Sequence, residues 1–263
     1  LFLIVGCLAP VIAPHDPLEV NVSIRLQGPS QEYWLGTDHL GRCILSRLLY
    51  GAQTTLLNSL VVLAGILLIG IPLGLISGFC GGWIDNLIMR FADIVSTFPS
   101  SLLALAVVSV FGAGLQNVMI VLVALWWAPF ARILRSQVLK IKEKDFVMAA
   151  KASGTSKFKI VINHVLLNSI SPIIVYSTLR VAAVIMHIAS FSFIGLGTQP
   201  PAADWGVMLS DSKQFISTAP LMMIWPGLSI MLVVFSLNMF GEGLNEALMP
   251  GGNKKAKQLG DGE

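Results

Sequence analysis

Uncharged apolar stretches alternate with shorter polar segments along most of the chain. Asp, Glu, Lys and Arg are absent from residues 48–84 and again from residues 94–131. A helix of about 20 apolar residues is long enough to cross the hydrocarbon core of a bilayer, and it satisfies its own backbone hydrogen bonds there. The pattern therefore predicts an all-α integral membrane protein with about six transmembrane helices.

The six predicted spans differ in how they are bounded. The first lies at the start of the sequence, so we expect the chain to begin part-way through a helix; a cleaved signal peptide is the alternative. Glycines recur along the second span and predict close helix contacts there. A Gly-Ala-Gly sequence separates the third span from the fourth. The predicted spans are Leu1–Ala13, Leu56–Phe79, Phe98–Phe111, Leu115–Phe130, Ser169–Ile194 and Ala219–Gly241.

Basic residues are concentrated in one polar segment. Residues 132–159 contain eight Lys and Arg, whereas residues 195–213 contain Lys213 alone. Short loops rich in Lys and Arg stay on the cytoplasmic side of the membrane, so the basic segment is predicted to be cytoplasmic. Six spans then place both termini in the cytoplasm and residues 15–50 outside.

The composition argues against several other classes of protein. Only 12% of the residues are charged, whereas a soluble domain carries about a quarter. Cys7, Cys43 and Cys80 form no CxxC pair, so no zinc site, disulfide framework or cofactor is predicted. The net charge of +3 is interpreted as membrane topology and not as nucleic-acid binding. The sequence contains no GxxxxGK[ST] loop and no HExxH or GxSxG motif, so we do not expect an enzyme.

A short amphipathic helix is predicted inside the basic segment. Phe146, Ala150 and Gly154 recur at i, i+4 and i+8, so one face of this helix is small and apolar. Such a face can seat in a groove of another protein. The alternative is a plain amphipathic connector between two spans.

This segment resembles the cytoplasmic loop of the permease subunits of ABC importers. That loop carries Glu-Ala-Ala, then a Gly, then an Ile/His-Leu-Pro stretch; here Met148 replaces the Glu and Leu167 replaces the Pro. The resemblance implies a cytoplasmic coupling helix that contacts an ATPase, without implying a specific salt bridge. The residues it assigns to coupling are Phe146, Val147, Met148, Ala149, Ala150, Gly154 and His164.

Further stretches are similar to the dipeptide, oligopeptide and nickel permeases of the C type, in the same order along nearly the whole chain. They are Leu35–Arg42 with Ser46, Arg47, Tyr50 and Gly51; Trp83 with Asp85, Arg90 and Asp93; Ser192–Gly197 with Gln199–Pro201, Trp205 and Gly206; and Trp225–Gly227 with Asn238 and Gly241. Cys43 stands where this branch usually has Asp. Many of these glycines and tryptophans also fit turns and an interfacial aromatic belt.

The resemblance implies the type I ABC importer permease fold and a division into three regions. Residues 1–52 would form a truncated first transmembrane helix and an extracytoplasmic loop. Residues 53–246 would form the transmembrane permease domain, and residues 247–263 a cytoplasmic tail.

The resemblance also implies one half of a translocation path in a bacterial-type plasma (inner) membrane. The expected partners are a second permease subunit in a heterodimer, ABC ATPase subunits, an extracytoplasmic solute-binding protein and the lipid bilayer. An ion-coupled secondary transporter is the rival of a different class. It would need carboxylates within the membrane, and the two long uncharged stretches contain none.

Two ionisable residues fall inside the fifth predicted span. An Arg in hydrocarbon is costly, so Arg180 is a candidate for the translocation path, and His187 follows on the same helix face. Alternatively, Arg180 is satisfied by carbonyl groups and His187 is packed between helices. The stretch Met186–Ala189 resembles nickel-importing members, so the predicted cargo is nickel, free or chelated, with a dipeptide or oligopeptide as the alternative.

Overall fold

The structure, a computed structural model, describes residues 2–248. Within this range the chain is helical and contains no β-strand, apart from an isolated bridge between Thr37 and Cys43. The predicted tail lies outside the described residues from position 249 onward. The helices are α1 (Phe2–Cys7), α2 (Ala9–Ile12), α3 (Ile44–Cys80), α4 (Gly82–Thr97), α5 (Ser100–Phe111), α6 (Leu115–Ile141), α7 (Asp145–Ala152), α8 (Lys157–Lys159), α9 (Leu167–Ser169), α10 (Ser171–Phe193), α11 (Trp205–Ser212) and α12 (Leu221–Leu248).

Four of the described helices, α3, α6, α10 and α12, are long and apolar enough to cross a membrane. The pair α4 and α5 passes the same test together and is bent by 79° at a break, where Pro99 cannot donate a helical hydrogen bond. The all-α membrane fold is confirmed, with four or five spans in residues 2–248 in place of about six. One difference lies at the start, where the first predicted span holds two helices of 6 and 4 residues. The other is the third predicted span, which is the 12-residue α5 and passes the test only together with α4.

Two of the spanning helices extend well beyond their predicted ends. α3 begins at Ile44 instead of Leu56, and α6 continues to Ile141 instead of ending at Phe130. Hydropathy does not detect these extensions, because they contain arginines (Arg47, Arg132 and Arg135) whose charges are paired within the fold. The predicted charged segment that starts at Arg132 is therefore helical for its first part.

The described chain forms two compact units. Unit 1 contains residues 2–62, 100–122 and 181–236, and unit 2 contains residues 63–99, 123–180 and 237–248. The four long helices each contribute residues to both units.

In unit 2, α3 packs against α6 along a row of glycines. A Cβ added at Gly65 would lie 2.9 Å from Cγ2 of Val123. A Cβ added at Gly78 would lie 2.8 Å from Cβ of Val138. The contact points advance in the same direction along both helices, so α3 and α6 run parallel here. The close helix contacts predicted from the glycines of the second span are confirmed.

In unit 1, the polar segment before α3 folds into a hydrogen-bonded loop. The N–H of Asn21 donates to the carbonyl of Leu40 at 3.0 Å, and the N–H of Leu26 donates to the carbonyl of Asp38 at 2.9 Å. Gly41 has a φ of 77°, and a Cβ there would overlap the carbonyl of Asn21. Only glycine fits both the backbone conformation and this close approach, which explains one glycine of the Leu35–Arg42 stretch.

Candidate functional site

The predicted coupling helix is α7, and a short turn joins it to the end of α6. The N–H of Lys144 donates to the carbonyl of Ile141 at 3.0 Å, and the N–H of Val147 donates to the carbonyl of Lys144 at 2.9 Å. Asp145 lies in the first turn of α7 and Lys151 in its last turn, so both charges complement the helix dipole. Backbone hydrogen bonds thus join the connecting turn to the end of α6 and to the start of α7.

α7 ends at a glycine turn. Gly154 has a φ of 77°, and its N–H donates to the carbonyl of Lys151 at 3.1 Å. The N–H of Thr155 donates to the carbonyl of Ala150, also at 3.1 Å, so two carbonyls at the helix end are satisfied. A side chain at Gly154 would strain this turn through its backbone conformation, although it would meet no described atom within 4 Å.

The predicted coupling residues of α7 are divided between two faces. Phe146 and Met148 are 45% and 52% exposed, and Ala149 is exposed beside them. Val147 and Ala150 are buried in unit 2, because residues three apart share a helix face. The face predicted from Phe146, Ala150 and Gly154 is therefore not one exposed surface: Ala150 packs inward and anchors the helix.

His164 lies beside the start of α7. It belongs to a π-helical turn, Ile160–Leu166, and its ring centroid lies 6.5 Å from that of Phe146. A π-helical turn widens the helix by one residue per turn and often marks a functional position. The structure thus brings together two predicted coupling residues that are distant in sequence.

Arg180 lies in unit 2 on α10, with its guanidinium among aromatic rings. Its Nε donates to the hydroxyl of Tyr176 at 2.7 Å, and its Cζ lies 4.8 Å from the centroid of that ring and 5.4 Å from the Trp126 centroid. Such cation–π contacts stabilise an Arg without removing its charge. Arg180 is half-buried. Its described partners are aromatic side chains, whereas the alternative interpretation from the sequence expected carbonyl groups.

His187 lies in unit 1, also on α10. Its Nδ1 lies 2.9 Å from the carbonyl oxygen of Ala183, and its ring is tilted against Phe191 with the centroids 6.3 Å apart. The side chain is half-buried. These contacts fix the direction in which the ring lies.

A buried ionic cluster in unit 1 was not predicted. It consists of Asp38, Arg42, Arg47 and Asp211. Nε of Arg42 donates to Asp38 at 2.6 Å, and Nη2 of Arg42 donates to Asp211 at 3.2 Å. Nε of Arg47 lies 3.6 Å from Asp38. Three of the four belong to stretches quoted for the C-type resemblance, which marked the positions without giving their contacts.

Arg47 also joins two loops of unit 1. Its Nη1 donates to the carbonyls of Pro17 and Pro201 at 3.1 and 3.3 Å, and its Nη2 donates to that of Ala202 at 3.4 Å. The side chain is 1% exposed. A buried guanidinium is tolerated when its donors are paired in this way. Arg47 therefore holds the segment before α3 and the loop before α11 together.

Asp204 caps the start of α11. Its Oδ1 accepts from the N–H groups of Gly206 and Val207 at 2.9 and 3.2 Å, and Thr55 donates to Oδ2 at 3.4 Å. The residue is fully buried, and burial raises the pKa of its carboxyl group, although the two N–H donors oppose this effect. Trp205 follows, and its Nε1 donates to the carbonyl of Leu48 at 3.0 Å. α11 is thus attached to α3 within unit 1.

The long apolar helices, together with the large apolar side chains that they expose on their outer surface, define a multi-pass membrane protein. Leu68 of α3, Phe111 of α5 and Phe235 of α12 are 76%, 74% and 60% exposed. Soluble monomers rarely expose so much apolar surface. The chain belongs to the family of binding-protein-dependent transport system inner membrane components, whose model matches residues 70–251.

Several characterised relatives match most of the chain. The dipeptide transport system permease protein DppC of Alkalihalophilus pseudofirmus is 46% identical over 249 residues, which cover 95% of this chain and 82% of the relative. The nickel transport system permease protein NikC of Escherichia coli is 38% identical, with coverage of 95% and 93%. The glutathione transport system permease protein GsiD of Pectobacterium atrosepticum is 40% identical, with coverage of 95% and 83%.

The fold is that of a solved ABC importer. A chain of the MetNI methionine ABC transporter, in an inward-facing conformation, aligns with a TM-score of 0.62 at 17% identity, covering 78% of this chain and 98% of that one. This likeness confirms the type I importer fold, and the family match and the relatives confirm the ABC permease class. The chain is a permease and not an enzyme, because ATP hydrolysis in such transporters is carried out by separate subunits.

Proposed function

We propose that this permease forms half of the translocation path of an ATP-driven importer and receives force from its ATPase through α7. The observation that carries the proposal is the division of α7 into two faces. Phe146 and Met148 are exposed, whereas Val147 and Ala150 anchor the helix in unit 2. A helix that is anchored on one side and apolar on the other can transmit a push from a groove of a partner protein.

We propose the orientation and partners as well. The basic segment and both termini lie in the cytoplasm, and the loop before α3 faces the exterior, where a solute-binding protein delivers cargo. This orientation requires the first predicted span to cross the membrane, although its described helices α1 and α2 have only 6 and 4 residues. A second permease completes the path as a heterodimer. We retain residues 1–52, 53–246 and 247–263 as the three functional regions; the family match to residues 70–251 supports the second.

Crosslinking tests the role of α7. We expect cysteine at Phe146 or Met148 to capture the ATPase in membranes that contain the complete transporter. Cysteine at Val147, which is buried, is the matched control and should capture little. Capture of no ATPase from either exposed position would overturn the proposal.

The glycine turn gives a second test of the same role. Gly154→Val should reduce uptake by about tenfold, because a β-branched residue in this left-handed conformation costs about 1–2 kcal/mol. Gly154→Asn is the matched control, since Asn adopts this conformation more readily. Membrane insertion should be normal in both variants, and normal uptake by Gly154→Val would contradict the coupling role.

We propose a carboxylate-bearing solute as the cargo. The relatives named for dipeptide, glutathione and nickel transport all cover 95% of the chain, and these cargoes share carboxylate chemistry when nickel is chelated. Arg180 on α10 is half-buried, and its positive charge attracts carboxylates and repels a free metal cation. His187 is proposed as a second residue of the path.

Uptake of competing solutes distinguishes the cargoes. Cells with the complete transporter should accumulate a labelled dipeptide or a carboxylate-chelated nickel complex, and Arg180→Gln should lower uptake by about tenfold, the loss expected for one charge-assisted hydrogen bond. Arg180→Lys should retain more uptake because it keeps the charge. Equal uptake of unchelated nickel by the unaltered protein, Arg180→Gln and Arg180→Lys would refute a carboxylate-bearing cargo. An unchanged rate of uptake in His187→Ala would exclude that residue from the path.

A further inference from the structure

The end of α6 in unit 2 is bound to the corner between α3 and α4 by a bidentate ion pair. Nε of Arg135 donates to Oδ1 of Asp85 at 2.5 Å, and Nη2 donates to Oδ2 at 2.6 Å. Ser77, near the end of α3, donates its hydroxyl to the same carboxylate. Two parallel charge-assisted hydrogen bonds fix both the distance and the relative rotation of the groups they join.

A second contact lies about two turns closer to α7, just after the end of α6. Nζ of Lys142 donates to the carbonyl of Gly78 at 2.9 Å. At Gly78 the backbone of α3 approaches α6 closely, because an added Cβ would lie 3.0 Å from the carbonyl oxygen of Arg135. The end of α6, from Arg135 to the residue that follows the helix, is thus attached to α3 by packing and by a hydrogen bond, and to α4 by the ion pair.

This end of α6 leads through residues 142–144 into the coupling helix α7. The N–H of Lys142 donates to the carbonyl of Val138 at 2.9 Å, and the N–H of Met148 donates to the carbonyl of Lys144 at 3.1 Å. Hydrogen bonds therefore continue from α6 through the turn into α7. A displacement of α7 can thus reach the end of α6. Two ion pairs join that part of α6 to α4: Arg135 with Asp85, and the more exposed Arg132 with Asp93.

We propose that Asp85 and Arg135 form a coupling clamp that makes α4 follow the movement of α7. In this proposal they are positioning residues, which act through the helices they join. The inference rests on the proposed docking of an ATPase at α7, and it adds a route by which the movement reaches a further helix.

The partial exposure of Asp85 and Arg135 suits an ion pair that opens and closes as the helices move. The side chains of Arg135 and Asp85 are 33% and 12% exposed, so the clamp lies at a partly hydrated corner of the unit. A salt bridge that water reaches can be broken and remade at modest cost. Its bidentate geometry nevertheless gives a defined position whenever it is closed.

The test compares uptake with ATP hydrolysis in the complete transporter reconstituted in vesicles. Asp85→Asn keeps the shape of the side chain and removes its charge. We expect uptake per ATP hydrolysed to fall by about tenfold, the size of one lost charge-assisted hydrogen bond, with ATP hydrolysis itself nearly unchanged. The charge exchange Asp85→Arg with Arg135→Asp should restore part of the uptake. Arg90→Gln, which removes a charge at an exposed position on the same helix, is the control and should keep the normal ratio.

The outcomes separate this clamp from a structural role and from the proposed function. A parallel loss of uptake and ATP hydrolysis in Asp85→Asn, or an unchanged uptake ratio, would overturn the clamp. Crosslinking from cysteine at Met148 is measured in the same vesicles. If it captures no ATPase in the otherwise unaltered transporter, the docking role of α7 fails; if capture persists in Asp85→Asn while the uptake ratio falls, the clamp is supported.

Discussion

The ionic contacts of the two units have different surroundings. In unit 1, the side chains of Asp38 and Arg47 are 5% and 1% exposed. In unit 2, the side chains of Arg135 and Asp85 are 33% and 12% exposed, and those of the neighbouring pair, Arg132 and Asp93, are 37% and 70% exposed. Both sets contain Arg and Asp at similar distances, so the burial of the arginine, and not the chemistry of the pair, distinguishes them.

This difference indicates different roles for similar ion pairs. Removing one partner of a buried pair leaves an uncompensated charge, so such a cluster holds its loops in a single arrangement. A hydrated pair contributes little to stability but can still define a position. Unit 1 thus has a permanent ionic anchor beneath its loops, whereas unit 2 has ionic contacts beside the helix that we propose to receive force.

The largest expected effect comes from removing the anchor in unit 1. Arg47→Ala should lower the free energy of unfolding by about 3–5 kcal/mol, because Asp38 loses one buried partner and three loop carbonyls lose their donor. Thermal unfolding of the purified protein in detergent would measure the change. Arg25→Ala, at an exposed position of the same loop, is the matched control and should have little effect. A loss for Arg47→Ala no larger than that of the control would contradict the comparison.

A smaller effect is expected where unit 2 depends on close helix packing. A Cβ at Gly74 would lie 2.7 Å from the carbonyl oxygen of Ala131, so Gly74→Leu should force α3 away from α6 and destabilise the protein by about 1–3 kcal/mol. Gly243→Ala is the control, because an added Cβ at that α12 position would meet no described atom within 4 Å. Equal stability of the two variants in the same detergent assay would show that the α3–α6 contact is looser than the structure indicates.

The fold was largely predictable because hydrophobic length is a local property. The apolar runs located α3, α6, α10 and α12, and the glycines of α3 indicated a close helix neighbour. The ends of the helices were not predictable in the same way. α6 continues through Arg132 and Arg135 because both side chains find partners on α4, and such partners do not appear in a hydropathy pattern.

The candidate site was predictable only in part for a related reason. The position of α7 followed from the small and apolar residues around Ala150, but the direction of that residue did not, since its burial depends on the neighbours of unit 2. The buried ionic cluster of unit 1 could not be predicted, because Asp211 is distant from Arg42 in sequence. Pairings of this kind arise from the fold and are absent from local patterns.

The smallest expected effect concerns a second buried acid of unit 1, one whose described partners are N–H and hydroxyl groups instead of Arg. Burial raises the pKa of Asp204, so the folded protein binds this proton more tightly than the unfolded chain does. Between the unfolded and the folded pKa, stability from this group therefore falls as the pH rises, and below the unfolded pKa the penalty disappears.

Asp204→Asn isolates that contribution, because Asn also caps a helix and does not titrate. The stability of the variant relative to the unaltered protein should rise as the pH increases from about 4 towards 8, and it should level off above the folded pKa. Unfolding temperatures of both proteins in one detergent across this range would measure the difference. Parallel curves would contradict the raised pKa, because they would mean that the N–H and hydroxyl donors around Asp204 compensate fully for the burial of its carboxyl group.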